Sequence, residues 1–301
     1  MFFRLMWTLV FLLSVGGAQA AGPEMLPDEL VTTIKKSVDR GLKFLRSKQE
    51  SDGSYSHHVG VTGTVLLAFG ESHRAYAYDE GPFIGLAADW LLTQVQKNGS
   101  ISGANTPTYN TALAIMGLNA VGGKKFGAAI KGGQSFLVGF QTDEDLQYKE
   151  SDKFYGGIGY GGDERPDLSN LQYALEALRK TSYDPSSDVW AKAQKFVTRC
   201  QNRSESNDQK WATDDGGFVY APGQSFAGGT RSYGAMSFAG LKSLILTRAE
   251  KSDPRVKSAL GWIQKNYSFT HHPGMDTTSY FYYLQTTSEA LAAYGETNVP
   301  E

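Results

Sequence analysis

The sequence predicts an all-α fold, an α/α toroid of about five helical hairpins with inner and outer helix layers. Three observations predict it. A motif recurs along the chain, two kinds of helix alternate, and glycine-x-aromatic elements close several units.

The motif is clearest at Arg40-Gly41-Leu42-Lys43-Phe44-Leu45, followed by Gln49, Gly53 and Tyr55. Lys192-Ala193-Gln194-Lys195-Phe196-Val197, followed by Gln201, repeats its first half without a mismatch. Weaker copies centre on Trp90, Phe136 and Trp262, so the aromatic anchors fall at Phe44, Trp90, Phe136, Phe196 and Trp262, the first two intervals being 46 residues each. The later, longer intervals contain Gly/Asp-rich insertions over residues 143–162 and 204–229, which lengthen loops and leave the unit intact.

Each unit pairs two helix types. The first is amphipathic: Val31, Ile34, Val38, Leu42 and Leu45 share one face, with Lys35, Lys36, Arg40 and Lys43 between them. Such helices face water. The second is apolar or small nearly all round, as over residues 109–118 and 237–246, and is expected to be buried on most sides. Alternation of half-wet and buried helices is what a ring of hairpins produces; a linear solenoid is the alternative. Gly53-Ser54-Tyr55, Gly157-Ile158-Gly159-Tyr160 and Gly216-Gly217-Phe218 supply a positive-φ helix exit and an aromatic that folds back onto the core.

The N-terminus reads as a secretory signal over residues 1–20: Arg4, an apolar run from Leu5 to Val15, then Ala18-Gln19-Ala20. The run is shorter than the roughly 20 residues of a spanning helix, so a secreted or periplasmic protein cleaved after Ala20 is expected, with a single domain over residues 21–301 and no transmembrane segment in the mature chain. Removing Arg4 takes the formal charge from −2 to −3, and no block of like charge points to nucleic acid. With Cys200 as the sole cysteine, stability must come from packing rather than an intrachain disulfide.

The repeat resembles that of the terpenoid cyclase and protein prenyltransferase superfamily, the squalene-cyclase-like prenyltransferase and squalene oxidase repeat with its Gln-aromatic signature. The resemblance covers essentially the whole mature chain. Residues 155–162 (YGGIGYGG) and Arg165-Pro166-Asp167-Leu168-Ser169-Asn170 look like a compact secreted branch of it. It implies an α/α toroid with a central apolar cavity, and does not by itself imply activity. The superfamily's chemical signatures are missing. The nearest approach to the Asp-x-Asp-Asp acid of class II cyclases is Ala212-Thr213-Asp214-Asp215, which runs into Gly216-Gly217-Phe218 and reads as a turn. No Asp-x-Cys exists to hold a prenyltransferase zinc, and no Cys-Gly-Glu-Gln run exists for a thioester. No metal or cofactor is implied.

In such a ring the inner-helix N-termini converge on one mouth, where unpaired N–H groups favour anions or polar ligand heads. The residues expected there are His57, His58 and Thr62; Tyr109 and Asn110; Asp167, Ser169 and Asn170; Arg231, Ser232 and Tyr233; and Asp276 and Tyr280. Asn110, Asp167, Ser169 and Asp276 also suit helix caps. A guanidinium has no use in a cap, although an Arg231–Asp167 pair across the ring would be purely structural. His57-His58 and His271-His272 invite a metal reading that adjacent histidines seldom satisfy alone. The run from Tyr280 to Tyr283 reads as core packing or as the wall of an apolar or cationic ligand. Asn98, Asn202 and Asn266 head glycosylation sequons.

Three functions compete. The leading one holds an isoprenoid-like or other apolar small molecule in the toroid. The second is an extracytoplasmic protein-interaction module using the loops at 143–150 and 204–215. The third is a polysaccharide-acting toroid enzyme with Asp167 and Asp276 as its carboxylates.

Overall fold

The computed structural model describes residues 26–103, 105–161 and 165–295; the expected export signal lies outside them. Among the described residues there are ten α-helices and no strand beyond isolated bridges. The helices are α1 (Asp28–Arg46), α2 (Val59–Glu71), α3 (Pro82–Thr93), α4 (Pro107–Val121), α5 (Gly127–Gly139), α6 (Leu168–Lys180), α7 (Val189–Arg199), α8 (Gly234–Leu246), α9 (Pro254–Asn266) and α10 (Tyr280–Tyr294). They form five successive pairs. The even-numbered helices pack on one another in chain order as an inner layer, and the odd-numbered helices lie outside them. The inner layer is an arc whose first and last members, α2 and α10, are not a packed pair.

The repeat glutamine shows why the unit recurs. Gln49 Nε2 donates to the Gly53 carbonyl at 2.9 Å and to the Phe83 carbonyl at 2.7 Å. Gln141 does the same to Gly156 and Val189 at 3.1 and 3.0 Å, and Gln201 to Gly216 and Arg255 at 3.0 and 2.9 Å. Each amide therefore ties its own turn to the first residues of the next outer helix. The turn glycines Gly53, Gly99, Gly156 and Gly216 all have positive φ and press on that same helix; a Cβ at Gly156 would lie 1.9 Å from the Lys192 carbonyl oxygen. The insertions over residues 143–162 and 204–229 run past Gly156 and Gly216, so they lengthen both the turn and the link from it to the next inner helix while the glutamine-to-glycine tie is kept.

Two details of the sequence reading change. In the third unit the turn is Gly156-Gly157-Ile158, with Gln141 bridged to Ile158; Tyr160 lies two residues further on, toward the inner layer. Phe136, Phe196 and Trp262 are buried, but Phe44 is 59% exposed and Trp90 half-buried. The reason is directional. Phe196 packs over Gly157 and Trp262 over Gly217, each on the turn of the preceding unit, whereas no turn precedes Phe44 among the described residues. For the same reason the apolar stripe of α1 is bare at Leu30, Ile34 and Val38, while Leu42 and Leu45 meet the core.

Inner helices approach closely where small residues face each other. A Cβ on Gly117 of α4 would sit 2.4 Å from the Gly63 carbonyl oxygen of α2. The buried layer continues through Leu118, Leu171, Leu178, Phe238 and Leu244. No described helix is long and apolar enough to cross a membrane.

Phe196→Ala should destabilise the fold by about 3–5 kcal/mol in urea denaturation, because a fully buried ring leaves a cavity. Phe44→Ala should cost under about 0.5 kcal/mol, the range of ordinary surface changes.

Candidate functional site

The inner helices bring together a cluster centred on α6. Asp167 caps that helix: its Oδ1 accepts from the Asn170 backbone N–H at 2.8 Å and its Oδ2 from the Asn170 side-chain amide at 2.7 Å. It is 1% exposed. Burial pushes its carboxyl up to about 6, against the donors Asn170 and the Tyr220 hydroxyl, which pull it down. Tyr220 in turn meets the Tyr160 hydroxyl at 3.2 Å.

One turn inward, Tyr109 of α4 donates to Ser169 Oγ at 2.7 Å, and Ser169 meets the Tyr282 hydroxyl of α10 at 2.5 Å. Gln172 donates to the same hydroxyl at 3.3 Å. The Tyr109 ring stands 5.4 Å from Tyr173 and 5.5 Å from Tyr160, and Tyr173 stands 6.5 Å from Tyr282. Burial raises the phenols of Tyr109, Tyr173, Tyr220 and Tyr233, and takes Tyr282 to about 12, so all five stay neutral. Asn170 Oδ1 and Gln172 Oε1 are buried acceptors with no partner among the described residues.

Deeper along α6 lies an ion cluster. Lys242 of α8 is 2.8 Å from Glu176 of α6 and 2.6 Å from Glu289 of α10, and its ammonium lies 5.5 Å from the Tyr173 ring centre. Burial raises the Glu176 carboxyl; it opposes ionisation of Glu289 too, but the Lys242 ammonium holds Glu289 below its ordinary value. Lys180 at the end of α6 pairs with Glu71 of α2 and approaches Glu176 at 3.7 Å. The interior is thus aromatic and polar where an apolar cavity was expected.

The residues expected at the mouth separate into two groups. Tyr109, Asp167 and Asn170 join the α6 cluster, and Tyr233 is buried at the N-cap position of α8. Asn110 is buried as a cross-helix tie, its Oδ1 accepting from Gly60 N–H of α2 at 3.1 Å and its amide donating to the Asn105 carbonyl. Neither Asn110 nor Ser169 caps its own helix. His58 is exposed and caps α2 through Nδ1, 3.3 Å from Val61 N.

Arg231 is exposed, bonds the Ala227 carbonyl of its own loop, and makes no pair with Asp167. Asp276 is exposed on the loop before α10, its carbonyl accepting from His272 N–H, and it caps no helix. Tyr280 opens α10 and donates to the Phe269 carbonyl. Arg231 and Asp276 share a cleft of about 580 Å³ with Phe226 and Met275.

The paired histidines diverge. His57 faces Asp52 and Ser54, and His271 faces Ser268. His272 is buried, donates from Nδ1 to the Thr278 carbonyl at 2.7 Å, and accepts the Ala235 N–H of α8 at Nε2 at 2.9 Å. Asp214 and Asp215 are exposed turn residues, holding Ser204 and the Gly217 N–H. Asn202 is fully buried with its amide donated to Thr230 and Ser232, so its sequon is closed in the folded chain.

Sequence reasoning overlooked Tyr160, Tyr173, Tyr220, Gln172 and the Glu176–Lys242–Glu289 group. One signal was available: Lys242 sits inside an otherwise apolar helix.

Burial holds the His272 ring below its ordinary value, against the Thr278 contact, so its cap is complete above the unfolded value of about 6.5 and is lost as pH falls below that and through the lower folded-state value. His272→Ala should cost about 1–3 kcal/mol near pH 7.5, and the gap to wild type should narrow progressively as pH falls below about 6.5 in urea melts. Lys242→Met should cost about 3–5 kcal/mol by stranding two carboxyls, with most of the loss restored when Glu176 and Glu289 are also made leucine.

No known family model matches the chain. It is 28% identical over 117 residues to lanosterol synthase of Mus musculus, a stretch covering 33% of this chain and 16% of the synthase. This weak similarity, together with the helical repeat, supports a terpenoid cyclase-like relationship.

Proposed function

We propose that this chain is an exported, non-catalytic relative of the terpenoid cyclases that holds an isoprenoid-like or similar largely apolar small molecule against its inner helices. The observation that carries this reading is the cluster of neutral tyrosines from α4, α6 and α10 around Ser169. Phenol faces give a polarisable wall for unsaturated hydrocarbon, and the hydroxyls and the unpartnered amide oxygens of Asn170 and Gln172 suit a polar head such as an alcohol. Asp167 serves this site as the cap that fixes α6. Both of its oxygens are occupied, so no proton transfer is assigned to it.

The interaction-module reading is less well supported. Its two loops are strapped to α7: Lys192 meets Asp143 at 2.8 Å, and Arg199 holds Asp208 and the carbonyls of Glu150 and Asp152. A glycan enzyme built on Asp167 and Asp276 would need two open carboxylates, and Asp167 is sealed.

Native mass spectrometry of protein from its own host should show a co-purified lipid. Tyr282→Ala and Tyr173→Ala should abolish it while the helical circular dichroism persists. Wild-type protein that carries no lipid and takes up neither farnesol nor squalene would refute the proposal. N-terminal sequencing of the exported protein should begin at Ala21.

A further inference from the structure

The second hairpin breaks the repeat at one position. In the first, third and fourth hairpins the glutamine amide is spent on the next outer helix. Here Val95 occupies the bridge to Ile101, and amides stand on either side of it at Gln94 and Gln96. Gln94 Nε2 donates to Thr93 Oγ1 at 2.8 Å; Gln96 Nε2 donates to the Gln94 carbonyl at 2.9 Å and the Ser102 carbonyl at 3.5 Å. Both side-chain oxygens therefore remain without a donor among the described residues. Asn98 accepts from Ser100 N–H at 3.1 Å through Oδ1, and its amide NH₂ has no acceptor among the described residues.

These groups line a cleft of about 810 Å³ that also exposes part of Phe140, tilted against Phe136 at 4.7 Å. Lys97 is the one charged residue of the lining, is exposed, and makes no ion pair among the described residues. Open amide acceptors, an open amide donor and an aromatic face match a sugar ring, whose hydroxyls both give and accept hydrogen bonds while its C–H face packs on the ring. A hydrocarbon would strand the amides without water or partner. The volume falls in the range of roughly 300–1,000 Å³ that takes drug-sized ligands, room for more than one sugar ring.

We propose that this cleft, between the second and third hairpins and separate from the inner-layer cluster, binds an acidic oligosaccharide, with Gln94, Gln96 and Asn98 on its hydroxyls, Phe140 under a ring and Lys97 on a uronate carboxylate. Calorimetric titration of the whole chain with hexagalacturonate, and with cellohexaose as the neutral counterpart, tests it. Saturable, salt-weakened binding of hexagalacturonate is expected, with cellohexaose clearly weaker and with Lys97→Gln and Gln96→Ala each lowering affinity about tenfold or more. Phe140→Ala should also weaken binding, and if it unfolds by circular dichroism the two surface variants still decide the matter. No saturable binding, equal binding of cellohexaose, or hexagalacturonate binding that neither Lys97→Gln nor Gln96→Ala weakens would overturn the proposal.

Discussion

The architecture depends on one side-chain amide used twice. A glutamine, buried at Gln141 and Gln201 and half-buried at Gln49, that donates both of its N–H groups, one to the carbonyl of its own glycine turn and one to the opening of the next outer helix, fixes the angle between successive hairpins. Each bond replaces water at a carbonyl that would otherwise be buried unsatisfied, so losing one costs more than the bond is worth in isolation. The glycine opposite is the necessary counterpart, since any side chain there would strike the helix that the glutamine has drawn in. Where Val95 replaces the glutamine, backbone pairing with Ile101 keeps the turn, and the released amides turn to the surface.

The same geometry explains the ends of the row. An aromatic anchor packs on the turn behind it, and among the described residues no turn lies behind the first anchor, Phe44. Most of α1 then lies outside the core, held through Leu42, Leu45 and the Asp39–Arg74 pair at 2.7 Å. Repeat proteins commonly have atypical terminal units for this reason.

The inner layer is more polar than its helices suggest one at a time. Tyrosines from three inner helices meet around Ser169, and one lysine serves two carboxyls from its neighbours on either side. A buried triad of this kind adds little net stability over apolar packing but disfavours every arrangement that separates its members. The hydroxyl cluster beside it is satisfied at most atoms, while Asn170 Oδ1 and Gln172 Oε1 are buried without a partner among the described residues.

Periodicity in the sequence determined the helix count, the pairing into hairpins and the alternation of wet and buried helices, because the 3.6-residue period and the spacing of Phe196, Gln201 and Gly216 are local properties. It also determined Asp167 as a cap and Asp214-Asp215 as a turn, since capping and turn chemistry act over three or four residues. What only the tertiary structure decided is which residues meet across the arc. Arg231 was free in the sequence to reach Asp167, but in the fold it bonds its own loop; Tyr109, Ser169 and Tyr282, spread over more than a hundred positions, share one hydrogen-bonded chain. Such meetings depend on the rotation of each inner helix about its axis, which the contacts between neighbouring helices set and no local pattern encodes.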